Sequence, residues 1–86
     1  MNKIELSKED KELFYITSLT LNPLEFIQLT KELDLFKDRF TKSSWKWICS
    51  VLGRRAQQYL KNVIKYQNFM GEINSIKYNY KSNDYI

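Results

Sequence analysis

The chain has no histidine and only one cysteine, one proline and two glycines in its 86 residues. Without histidine, and with Cys49 alone, the familiar zinc ligand sets and the Cys-His or Ser-His nucleophile pairs cannot be assembled within one chain. A single cysteine also excludes an internal disulfide, which suits a reducing compartment, and Cys49 reads as a buried structural thiol. Two glycines, Gly53 and Gly71, leave no glycine-rich phosphate loop. No apolar run approaches the roughly eighteen residues of a membrane span, and segment 1–10 is too polar for a secretory signal, so a cytoplasmic protein with no membrane association is expected. The carboxylates Glu32, Asp34 and Asp38 cluster in sequence, but they read as a solvated acidic face rather than as metal ligands or acid-base groups. The expectation is a protein that is not an enzyme and holds no cofactor or metal.

One more absence organises the chain. Residues 39–71 contain no Asp or Glu, yet they carry Arg39, Lys42, Lys46, Arg54, Arg55, Lys61 and Lys65, interleaved with Trp45, Trp47, Tyr59 and Tyr66. The formal charge of +4 is concentrated there, because the residues before hold more carboxylates than lysines and those after are balanced. The chain is 43% hydrophobic and 15% aromatic, too apolar for a disordered tail. Its length suits one domain with a modest core.

At 100° per residue, Trp45, Ile48, Leu52, Ala56, Tyr59, Val63, Tyr66 and Met70 fall within about 40° of one line. That stripe predicts one continuous helix over 44–70, roughly 40 Å long, with Ser43 or Ser44 as N-cap and Gly71 as its C-terminal stop. Gly53 is the objection, since a helix-interior glycine costs about 1 kcal/mol relative to Ala, but the stripe keeps its phase across it. A rival reading makes Gly53 the turn of a helix-turn-helix, with 55–68 as the recognition helix. Arg54 and Asn62 fall where that template wants apolar residues.

Upstream, Ser7 with Asp10 signals an N-cap and predicts a helix over 8–19, with Leu13, Phe14, Ile16 and Thr17 facing inward. The run Asn22, Pro23, Leu24, Glu25 is the sharpest local signal: a cap, a proline at the first helical position and a capping-box glutamate. It opens a helix over 23–36 that buries Phe26, Leu29, Leu33 and Phe36. Residues 1–6 read as a short strand or an extended lead-in. In the tail, 72–86, Ile76, Tyr78 and Tyr80 alternate with polar residues, which favours a short strand. The fold expected is all-α, a small helical bundle of two short helices packed on one long C-terminal helix, with a short terminal β-strand as an option.

Two short helices cover only half of such a long stripe. The uncovered part, Tyr59, Val63, Tyr66 and Met70, therefore predicts a homodimer interface. The opposite face carries Trp47, Ser50, Arg54, Gln57, Gln58, Lys61, Lys65 and Asn68, cations and amides with one indole, and Lys46 joins them as a candidate binding residue. Those groups can neutralise phosphates, donate to phosphates or base edges, and stack on an unpaired base, which predicts a small nucleic-acid-binding accessory protein, for DNA or RNA. The same patch also suits a helical protein-protein interaction module docking on an acidic partner, such as a phage or plasmid inhibitor or a minor subunit of a larger complex. A peripheral membrane role ranks last, because the apolar side is committed to the bundle.

Overall fold

A computed structural model describes residues 2–80. The chain is an all-α bundle with four α-helices among the described residues: α1 (Lys8–Thr20), α2 (Pro23–Leu35), α3 (Lys42–Leu60) and α4 (Met70–Asn79). Short 3-10 turns at Lys37–Arg39 and Gln67–Phe69 precede the last two. Side-chain contacts set the directions. Phe14 meets Trp47, and Arg55 reaches Ser18, so α1 runs parallel to α3. Phe26 meets Tyr59, and Tyr80 meets both Trp45 and Asp34, so α2 and α4 run the other way. The result is an up-down-up-down bundle.

The first two helices start where the local chemistry demands. Ser7 and Asp10 form a reciprocal capping box with bonds of 3.1 and 3.2 Å. Asn22 and Glu25 form a second, at 2.9 and 3.1 Å, with Pro23 at the first helical position, where no N–H is needed. The third start differs from expectation. Thr41, not Ser43 or Ser44, caps α3 by accepting from the Ser44 amide at 3.3 Å. The serines are used otherwise: buried Ser44 accepts from the Leu6 amide at 2.9 Å, and Ser43 donates to Glu5. The lead-in is thereby pinned against the start of α3, and Ile4 pairs with Phe40 in an isolated parallel bridge.

Gly53 lies inside α3 and is buried, with no positive φ, so the helix-turn-helix reading is excluded. The single rod over 44–70 is nevertheless wrong. α3 ends at Leu60, residues 61–66 are turns, and α4 begins at Met70. Asn62 helps stop the helix by donating its side-chain amide to the Gln58 carbonyl at 3.3 Å, and β-branched Val63 and Ile64 follow. Gly71 is in the first turn of α4, not a C-terminal stop. The expected strand around Ile76 to Tyr80 is helix: Ile73, Ile76 and Tyr80, spaced three and four apart, are buried, while Tyr78 is exposed. Residues 81–86 of the expected tail lie outside the described residues.

This reversal resolves the covering problem. α4 folds back along α3, and Ile73, Ile76 and Tyr80 join Phe26, Ile27, Ile48, Leu52, Ala56 and Tyr59 in one core. Tyr59 is 3% exposed, and Tyr66 and Met70 are half-buried, so of the four residues expected at a dimer interface only Val63 stands exposed. The open half-stripe that called for a second copy is filled by the chain's own last helix. In α2, Phe26 and Ile27 are buried but Phe36, at the C-cap, is exposed under the Arg39 guanidinium. α1 is rotated from expectation. Ser18 is buried and Phe14 half-buried, while Leu13 and Ile16 are 66% and 57% exposed.

Candidate nucleic-acid interface

The residues expected to bind nucleic acid divide at the end of α3. Lys46, Trp47, Arg54, Gln57 and Gln58 are on α3 itself, and Lys61 is its C-cap. Trp47, Ser50, Arg54, Gln58 and Lys61 fall within about 40° of one line on the helix. Lys46, Arg54, Gln57, Gln58 and Lys61 are exposed, and α3 carries no carboxylate along its length. Lys65 and Asn68 are not brought onto this face by helical phase. Lys65 is in the turn, with its ammonium 5.4 Å from the Tyr66 ring centroid, and Asn68 is in the 3-10 turn.

The two neighbouring arginines have different work. Arg54 is exposed on the outward face. Arg55 is drawn into the bundle: its Nε donates to the Ser18 carbonyl at 3.0 Å, one terminal nitrogen donates to the Tyr59 hydroxyl at 3.2 Å, and the other donates to Gln58 Oε1. The Tyr59 hydroxyl in turn donates to the Leu21 carbonyl. A cation on the Ser18 carbonyl, in the last turn of α1, satisfies a group that the helix cannot, and it complements the negative end of the helix dipole. Arg55 and Tyr59 thus lock α1 to α3, and Arg55 leaves the basic face.

Trp47 is half-buried at the edge of this face. Phe14 of α1 meets it edge-on at 5.6 Å, and the Lys11 ammonium is 5.7 Å from its ring centroid. Beside it, α1 and α3 enclose a groove of about 200 Å³ lined by Tyr15, Leu19, Trp47, Val51, Arg54 and Gln58, among others. Tyr15 and Leu19 carry no signal of a site in the sequence, because the groove depends on how α1 is rotated against α3. No group of three or more His, Cys, Asp or Glu residues is placed to hold a metal ion among the described residues, and Cys49 is buried. No described helix is long and apolar enough to cross a membrane.

Fold and surface together define a small all-α bundle with one basic helix face. Comparison with protein-family models, with curated proteins and with solved structures finds no match for this chain.

Proposed function

We propose that this chain is a nucleic-acid-binding accessory protein that engages the sugar-phosphate backbone through the outward face of α3. The observation that carries the reading is the set Lys46, Arg54 and Lys61 with Gln57 and Gln58, all exposed on a helix without a carboxylate. Helix surfaces ordinarily pair opposite charges three or four residues apart, and here that pairing is missing. Cations at such a face neutralise phosphates and release condensed counterions, while the glutamines donate to phosphate oxygens or base edges. The reading is of binding without catalysis, in the cytoplasm, and it requires no second copy of the chain. Fluorescence anisotropy with labelled duplex and single-stranded probes at low salt tests it. Binding should weaken steeply with added salt and in Arg54→Ala or Lys61→Ala proteins of unchanged helicity. Negligible affinity for every probe at low salt would rule it out.

A second reading, docking on a protein partner, is favoured by a separate observation. Leu13, Ile16 and Leu19 are all exposed on α1, a concentration of apolar surface that bundles of this size usually cover. On this reading a stoichiometric complex survives nuclease treatment and is lost in Ile16→Glu, whereas Arg54→Ala leaves it intact. The two readings are compatible in a helical subunit of a ribonucleoprotein, which would meet protein with α1 and nucleic acid with α3.

A further inference from the structure

We infer that the groove between α1 and α3 receives one unpaired base of a single-stranded nucleic acid, so that the protein prefers single strands to duplex; this rests on the nucleic-acid reading above. The groove is lined by one aromatic ring from each helix, Tyr15 from α1 and Trp47 from α3, with Leu19 and Val51 supplying apolar wall. Its volume of about 200 Å³ is below the roughly 300 Å³ at which pockets for drug-sized ligands begin. It suits a single planar ring rather than a cofactor. Aromatic rings stack on any base, because every base presents a π face.

The polar groups at the groove fit the same occupant. Gln58 is held through its Oε1 by Arg55, which leaves its amide nitrogen to donate to a base carbonyl or ring nitrogen. Arg55 itself is committed to Ser18 and Tyr59, so Arg54 is the cation available to the adjoining phosphate. Lys61 stands two turns further along α3, about 10 Å on, in line for a phosphate beyond. Paired bases are stacked inside a duplex and cannot reach such a groove without being unstacked first. An acidic peptide inserting an aromatic side chain is the competing occupant, and it would show no preference among nucleic acids.

The test uses a Trp45→Phe protein, in which Trp47 is the sole indole. Trp45 packs on Phe40 and Tyr80, away from the groove. An oligothymidylate of about twelve nucleotides, an oligouridylate of equal length and a hairpin duplex are titrated in parallel. The expected result is quenching of Trp47 emission by a single strand, saturating together with binding read by anisotropy, with either single strand bound more tightly than the hairpin. In the otherwise native chain, Tyr15→Ala should weaken single-strand binding about tenfold or more while leaving duplex affinity unchanged. Tyr15 is about half exposed, so this variant keeps the fold, and Trp47→Phe should retain most of the affinity. Equal affinity for single strand and duplex, untouched by Tyr15→Ala but lowered by Arg54→Ala, would overturn the groove assignment and leave the α3 face standing. No binding of any probe at low salt would sink both.

Discussion

Tyr66 stands edge-on to Tyr59, with ring centroids 5.2 Å apart and planes at 81°, although the backbone has left α3 between them. The contact holds the turn 61–66 against the core, and with it the reversal that lets α4 cover α3. Tyr66→Ala removes both the ring pair and half-buried apolar area, so we expect a loss of about 1.5–3 kcal/mol in urea unfolding. A change within about 0.5 kcal/mol would mean that the turn is held by other contacts.

Arg54 and Arg55 are adjacent in sequence and should behave oppositely. Arg55→Ala strips the Ser18 carbonyl and the Tyr59 hydroxyl of a charged donor, and should lower stability by about 1.5–3 kcal/mol. Arg54→Ala, at an exposed position, should leave the unfolding midpoint nearly unchanged and weaken nucleic-acid binding instead. Denaturation and anisotropy on the two variants separate these roles, and the same phenotype in both would contradict the division.

Gly71 lies in the first turn of α4, its φ is not positive, and a methyl group there would meet nothing within 4 Å. Gly71→Ala should therefore stabilise the protein by about 0.5 kcal/mol, through the lower entropy of the unfolded chain and better helix propensity. Thermal unfolding would show a small upward shift. A downward shift would mean that this turn needs a glycine for a reason other than space or backbone angle.

The hydroxyl of Thr41, and after it those of Ser43 and Ser44, hold the Glu5 carboxyl below the usual carboxylate range, with Lys11 adding a smaller charge effect; partial desolvation opposes them. A carboxyl whose pKa is lower folded than unfolded contributes stability that is complete above its unfolded value and is lost as pH falls through its folded value. The native protein should thus lose more stability than Glu5→Gln between neutral pH and about pH 3. Urea midpoints at the two pH values measure the difference, and parallel losses in both proteins would show that the Glu5 bonds do not favour the ionised form.

The parts of the fold that the sequence made legible are those encoded by neighbours. Ser7 with Asp10, and Asn22 with Pro23 and Glu25, announce two helices because capping boxes close within four residues. The inward stripe of α3 was legible as far as Tyr59. Beyond it the periodicity misled, since it reports which residues are buried and not whether the backbone between them is continuous. Tyr66 returns to the core from a turn, so the phase survives a broken helix. Ile76, Tyr78 and Tyr80 imitate a strand only if Ile73 is left out of the count.

The candidate site was legible in half. Lys46, Trp47, Arg54, Gln57, Gln58 and Lys61 share α3 or its cap because their spacing is local. Lys65 and Asn68 drop out where the helix ends, and Tyr15 and Leu19 enter through packing between helices, which no local pattern encodes. Helical phase alone sets Arg54 on the outward face and Arg55 on its flank, but that Arg55 is tied to the Ser18 carbonyl follows only from the packing of α1 on α3.

The salt dependence of binding to an oligothymidylate counts the phosphates that the α3 face neutralises. If Lys46, Arg54 and Lys61 each neutralise one phosphate, log K should fall against log salt concentration with a slope of about −2, at about 0.7 per contact. The Arg54→Ala/Lys61→Ala double variant should bind more weakly with a slope nearer −1, at unchanged helicity. Absence of binding at low salt, or an affinity and slope that the double variant leaves unaltered, would contradict the proposed use of the α3 face.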